Sequence, residues 1–267
     1  MKQLTQLLNL LRLYRGVLVK VVRTQGSVPR DSGSWMAVFK HTLVGTIGGG
    51  HLEFQAVALA KDALEGRAAL PGLQTVPLGP ALGQCCGGVV QLEYRLVSGS
   101  DSESLREELR PALQPVALFG GGHVGRALVR VLSDLPFALR WIDSRDEVFP
   151  STLPEQVIAE HSDPVHAAVA DLVPGSKVLI MSFSHAEDLD ILAACLTRLR
   201  TSADLPYVGL IGSDSKWARF RHRLEARGFG AQDFAHVTTP IGMSGIESKL
   251  PEVIAVSVAA QLLQMSQ

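Results

Sequence analysis

Apolar positions along the chain follow two periods, and their arrangement changes near the middle. Leu4, Leu7, Leu8 and Leu11 fall at the spacing that puts them on one face of a helix. Gly16 then leads into GVLVKVVRT, a run rich in branched residues that predicts a strand. Trp35 to Phe39 and Thr42 to Ile47 predict a hairpin. Leu52, Ala56, Leu59, Ala60, Ala63 and Leu64 predict a second amphipathic helix, closed by Gly66. Val90, Leu92, Tyr94 and Leu96 alternate with Gln91, Glu93 and Arg95, the period of a half-solvated strand. Together these elements predict a small α+β domain over residues 1–98.

The most polar window, SGSDSESLREELRP from Ser98 to Pro111, reads as a linker over residues 99–112. Beyond it, strand and helix patterns alternate. PVALFG, FALRWID, EQVIAE, KVLIMSF and YVGLIGS predict strands. The stretch from Val124, VHAAVADLV, AEDLDILAACLTRL and DSKWARFRHRLEARG predict helices, and Pro251 suits the first position of a last one. Repeated βα units indicate an open parallel sheet with helices on both faces. The expected fold class is therefore α/β: a small N-terminal α+β domain, then a Rossmann-like doubly wound parallel-sheet domain over residues 113–267.

Composition narrows the function. A net charge of -1, from 25 basic and 26 acidic residues, argues against nucleic acid or an anionic membrane as partner. No apolar stretch approaches the roughly 20 residues of a membrane span. The first residues carry charges among their leucines and are not expected to be a signal peptide. Three cysteines, two of them adjacent, make no disulfide framework, so a cytoplasmic location is expected.

Gly120, Gly122 and Gly125 form a G-x-G-x-x-G spacing between the first strand and first helix of the second half. Such glycines serve a tight turn, close approach of a phosphate, and helix–strand packing. Asp143 ends the next strand, where an acidic residue commonly binds a ribose hydroxyl. His123, inside the turn, reads equally as a ligand contact or as an exposed spacer. With a strand order of 3-2-1-4-5, the crevice opens between the first and fourth strands. Ser182, Ser184, His185 and Asp188 then lie opposite the glycine turn, with Ser213 and Lys216 after the fifth strand. Ser184 and Ser213 read equally as plain helix caps. Cys195 is expected in the core.

The first half holds denser signals. GSVPRDSG, from Gly26 to Gly33, is a turn-rich loop with Arg30 and Asp31. Gly48, Gly49 and Gly50 open a helix that contains Glu53, making a candidate anion nest. Gly83 to Gly88 carries Gln84, Cys85 and Cys86. Adjacent cysteines alone do not make a closed zinc site. They offer either soft thiolates able to touch a metal such as molybdenum or carry sulfur, or two small apolar residues in a turn.

The ordered set GSVPRDSG, GTIGGGHLE, LGQCCGG, LFGGGHVGRAL, WIDSRDEVFP and GSDSKWARFR…TPIGM resembles the XdhC/CoxI family of xanthine dehydrogenase accessory proteins. The resemblance runs from Gly26 to about Ala260. It implies a non-catalytic or weakly catalytic chaperone of purine catabolism, with no residue assigned a catalytic role. Such a protein binds the molybdenum cofactor (molybdopterin), protects it during sulfuration and delivers it to the molybdenum-binding subunit of apo-xanthine dehydrogenase. A cysteine desulfurase is the implied sulfur donor, and a homodimer the implied assembly. On that reading Cys85 or Cys86 faces the molybdenum, and the glycine nests cradle the pterin phosphate. Arg30 and Glu53 contact the pterin, and the Rossmann turn holds the phosphate or a separate nucleotide. The alternative is an NAD(P)-dependent oxidoreductase, resting on the glycine turn and Asp143, with His185 or Lys216 as proton donor.

Overall fold

The computed structural model describes residues 2–79 and 87–265. The chain divides into two compact units, Met1–Pro111 and Ala112–Gln267.

In the first unit, helix α1 (Lys2–Leu11) precedes strands β1 (Gly16–Gln25), β2 (Trp35–Val38) and β3 (Leu43–Gly45). Helix α2 (Gly50–Leu64), strands β4 (Leu73–Pro77) and β5 (Val89–Val97), and helix α3 (Ser102–Glu108) follow. The strands form one sheet in the order β3-β2-β1-β5-β4, antiparallel throughout. The predicted hairpin is the β2–β3 pair, with Met36 opposite Gly45 and Val38 opposite Leu43. Central strand β1 is buried on both faces over Gly16–Val19, which explains the apolar run Val17–Val19. Val17, Val19 and Val21 pack with Leu52, Ala56 and Ala60 of α2. Leu18 faces the opposite way, toward Leu4, Leu7, Leu8 and Leu11 of α1.

The segment read as a linker is folded. Leu105 of α3 and Leu109 after it are buried in the same cluster as α1. Glu108 takes an ion pair from Lys20 at 2.8 Å and from Arg95 at 2.6 Å, tying the helix to β1 and β5. Polar residues dominate the window because such a short helix buries only one narrow stripe.

The second unit contains β6 (Gln114–Phe119), α4 (His123–Leu132), β7 (Phe137–Asp143), β8 (Val157–His161) and β9 (Lys177–Ile180). Then come α5 (His185–Ser202), β10 (Tyr207–Leu210), α6 (Asp214–Glu225), α7 (Ala231–Phe234), β11 (Val237–Thr238) and α8 (Pro251–Gln264). All strand pairs are parallel. The sheet order is β11-β10-β9-β6-β7-β8, so the expected 3-2-1-4-5 arrangement gains a sixth strand. Alternate residues of β6 serve the two faces. Val116 and Leu118 pack with α4 and α8, and Ala117 and Phe119 with α5 and α6. VHAAVADLV, expected as a helix, forms only a 3-10 turn over Val165–Val169. Pro164 precedes that turn and Pro174-Gly175 follows it, bounding the segment on both sides. Cys195 is buried in the core of this unit.

Candidate functional site

Strand order reverses between β6 and β9, and ligands of doubly wound sheets bind outside the strand ends at such a point. The glycines there play separate parts. Gly120 has a φ of +130°, and a Cβ on it would strike the Met181 carbonyl. A Cβ on Gly125 would strike the Gly120 carbonyl, because the first turn of α4 lies directly on the loop. Gly122, the N-cap of α4, faces open space. Two glycines therefore build the turn, and the third leaves it approachable. His123, the first residue of α4, is exposed beside it.

Asp143 is 1% exposed at the end of β7, and its carboxylate is saturated. Oδ2 accepts the Gly121 N–H at 2.5 Å and Arg145 Nη2 at 3.0 Å. Oδ1 accepts the Arg145 N–H and Nε, both at 2.9 Å. A carboxylate offers about four lone-pair positions, so the ribose contact expected of Asp143 finds none open. Burial by itself would raise its pKa. The bonds from Arg145 and Gly121 outweigh that and hold it below the ordinary aspartate value. Arg145 also lies 4.2 Å over the ring of Phe183, which is exposed. Neither residue was singled out from the sequence. The late strand end followed by S-R-D was the available signal for Arg145, and none marked Phe183.

Across the crevice, Ser184 caps α5 by accepting the Glu187 N–H at 3.2 Å, and Ser213 caps α6 by accepting that of Lys216 at 3.4 Å. The cap reading of both therefore describes their contacts. Asp188 and Lys216 form a buried ion pair at 2.6 Å. Asp188 Oδ1 also accepts the Ser182 N–H and hydroxyl, each at 2.7 Å. Lys216 Nζ donates further to the Ile211 carbonyl at 2.7 Å. Lys216 thus ties the β9–α5 turn to the β10–α6 turn. His185 is exposed, its ring edge-on to Phe220 at 6.2 Å.

In the first unit, three loops meet at one rim of the sheet. Gly48 has a φ of +121°, and a Cβ there would lie 2.8 Å from the Pro29 ring and 3.4 Å from Arg30 Cγ, so the glycine turn lies against the GSVPRDSG loop. Gly88 closes on the same loop, packed under the Gln25 and Ser27 carbonyls and Val28. Arg30 is exposed at this rim. Gln84, Cys85 and Cys86 lie outside the described residues, and Gly87–Gly88 are the next residues along the chain.

The triple-glycine turn is not an empty nest. Glu53 Oε2 accepts the Ile47 N–H at 3.0 Å, the Gly49 N–H at 3.1 Å and the Thr46 hydroxyl at 2.6 Å. The chain's own carboxylate fills the place expected for a phosphate. A glycine N-cap has no side chain to satisfy the helix start, and an acidic residue in the first turn was the signal that one would fold back. Among the described residues, Oε1 of Glu53 has no hydrogen bond, and no group of three or more metal-ligating side chains occurs.

An antiparallel α/β unit carrying three converging glycine loops, joined to a doubly wound unit with an open phosphate-type turn, defines the class. Residues 116–262 match the family described as the XdhC Rossmann domain, and residues 14–76 match the XdhC and CoxI family. The first match covers more than half of the chain, which belongs to the XdhC family. It is 28% identical over 253 residues to an uncharacterized protein, YqeB, of Escherichia coli K12. That alignment takes in 93% of this chain and 43% of YqeB, so the chain spans less than half the length of that relative. A Bacillus halodurans crystal structure described as a xanthine dehydrogenase superposes with a TM-score of 0.77 at 20% identity. It covers 100% of this chain and 96% of the other, showing a shared fold. Among the described residues no helix is long and apolar enough to cross a membrane.

Proposed function

We propose that this chain serves xanthine dehydrogenase maturation by binding the molybdenum cofactor, protecting it during sulfuration and delivering it to the apoenzyme. The observation that carries this reading is the meeting of the GSVPRDSG loop, the triple-glycine turn and Gly87–Gly88 at one rim. Those segments are three of the motifs that mark the family, and Cys85–Cys86 immediately precede the third.

The residues at the rim fit the group in part. Arg30 is exposed there to meet an anionic or carbonyl-bearing edge. The thiols of Cys85 and Cys86, which lie outside the described residues, are of a type that suits a soft metal centre. The Ile47 and Gly49 N–H groups are taken by Glu53, so while that carboxylate is in place they have no donor to offer a pterin phosphate. The open turn at Gly122 is the better phosphate site, since it presents helix N–H groups with space in front. When bound, the cofactor supplies the molybdenum to be sulfurated. The chain's part is to hold it, shield it and release it to the client. A cysteine desulfurase as sulfur donor, a homodimer and a cytoplasmic location complete the proposal. The oxidoreductase alternative loses support with the saturated Asp143 and with Lys216 committed to Asp188.

The test is gel filtration of the full chain with isolated molybdenum cofactor, followed by molybdenum and oxidised-pterin assays of the protein peak. Stoichiometric pterin, reduced in Cys85→Ala or Cys86→Ala, is the expected result. A peak free of pterin, with saturable NADH binding instead, overturns the reading in favour of the dehydrogenase. Unchanged retention in both cysteine variants removes the thiols from the site.

A further inference from the structure

The connection between β11 and α8 lines an open cavity of about 490 Å³, within the range of small-molecule sites. Ile211 and Gly212, directly after β10, form one wall; residues 240–248 form a second, and Val253, Ile254 and Ser257 of α8 a third. The walls are fastened to one another. The Gly242 N–H donates to Gln261 Oε1 at 2.9 Å, and Gln261 Nε2 returns a bond to the Gly242 carbonyl at 3.1 Å. The Met243 N–H donates to Ser257 Oγ at 2.8 Å. The Tyr207 hydroxyl donates to the same Gln261 oxygen at 2.7 Å. The cavity is thus formed in advance of any ligand.

Its lining has a definite chemistry. Ile211, Ile241 and Ile254 supply apolar faces, Ser244 and Ser248 supply hydroxyls, and Glu247 is the one charged side chain. With a carboxylate and no lysine, arginine or histidine in the lining, the cavity disfavours a phosphate. It suits a flat, uncharged ring with N–H donors on its edge. One residue before Pro240, and outside the lining itself, the Thr239 hydroxyl is buried with no hydrogen-bond partner among the described residues.

The cavity sits at the end of β10, the second strand from β6 in the sheet, roughly 10 Å from the glycine turn at ordinary strand spacing. Doubly wound sheets bind ligands along this carboxyl edge, with the phosphate at the glycine turn. We infer that the cavity takes the uncharged, N–H-bearing heterocycle of a ligand whose phosphate lies at the Gly120–Gly125 turn. The inference rests on the proposed function only in treating that turn as a phosphate site. A pterin and a nicotinamide share this chemistry.

The experiment titrates the full chain with a pterin bearing a phosphomonoester side chain, with NADH, and with inorganic pyrophosphate. The same titrations are made on Ser244→Trp, which fills the exposed mouth without touching the fastenings, and on Glu247→Gln. At least one ring-bearing probe binds the wild type. Ser244→Trp weakens that probe at least tenfold and Glu247→Gln several-fold, and pyrophosphate affinity is unchanged in both. A response confined to the pterin or to NADH identifies which source the cavity serves. If neither ring-bearing probe binds, or both variants bind it as the wild type does, the inference is overturned. Molybdenum-cofactor retention measured on the same proteins separates the two claims. Retention by a chain whose cavity ignores both rings leaves the proposed function standing without the cavity.

Discussion

Arg145 clamps the Asp143 carboxylate edge-on, with Nε 2.9 Å from Oδ1 and Nη2 3.0 Å from Oδ2. The aspartate is buried and the arginine partly exposed. The pair fixes the end of β7 to the glycine turn, because the same carboxylate also accepts the Gly121 N–H. Removing one partner of a buried pair leaves the other uncompensated. Asp143→Ala should cost about 3 kcal/mol in chemical denaturation near pH 7. Arg145→Lys should not restore the geometry, since an ammonium lacks the two-pronged fork.

That pair also carries a pH signature. The folded Asp143 pKa is lowered, against about 3.9 in an unfolded chain. Its contribution is therefore fully present above about pH 4 and is lost as pH falls through the folded value. The stability gap between wild type and Asp143→Asn should narrow once the pH drops below about 4. Denaturation midpoints of both proteins down that range check it, and a constant gap rules out ionised Asp143 as the source.

The glycines of the second unit should separate by role. Gly125→Ala places a Cβ against the Gly120 carbonyl, so neither the loop nor α4 can keep its position, and the variant should be strongly destabilised. A Cβ on Gly122 has no atom of the described residues within 4 Å, so Gly122→Val should fold with a near-native melting temperature, yet lose phosphate-bearing ligands. Circular dichroism melts read the first effect and ligand titration the second. Normal cofactor binding and delivery by folded Gly122→Val would make the turn a scaffold only.

How far the sequence could be read follows from what each signal depends on. The βα alternation and the glycine turn were legible because periodicity and local φ requirements are written residue by residue. Strand β4 was not, since only Val76 of its five residues is buried and it ends on Pro77 at a sheet edge. Two-residue β11 left no period to detect. The functional readings of Asp143, Glu53 and Lys216 depended on side-chain partners. Arg145, the Gly49 amide and Asp188 occupy them, and spacing alone does not say whether a carboxylate faces a ligand or its own backbone.

Cys195 tests the distinction between a structural thiol and a reactive one. It is fully buried, and burial pushes its thiol up to about 12, with Arg198 opposing weakly. The thiolate is the reactive form. With Cys85 and Cys86 both replaced by alanine, Cys195 is the one cysteine left of three. The native double variant should be inert to a disulfide reagent at about pH 8 and should release one equivalent on denaturation. Rapid labelling of the native protein would show that α5 opens.

Glu53 carries the last prediction, because it decides whether the triple-glycine turn is a ligand cradle or a brace. Its Oε2 gathers the Ile47 and Gly49 amides and the Thr46 hydroxyl, so Glu53→Ala strands three donors and should cost about 1–2 kcal/mol. Glu53→Gln keeps an acceptor oxygen and should recover part of that loss. If the turn is a brace, both variants lose cofactor retention in proportion to stability. Added phosphate then leaves their melting temperatures unchanged. If the turn is instead an anion site that Glu53 guards, removing the carboxylate exposes two amides to an anion, and phosphate should raise the melting temperature of Glu53→Ala alone. Three hydrogen bonds on one oxygen favour the brace, and the melting curves with and without phosphate decide it.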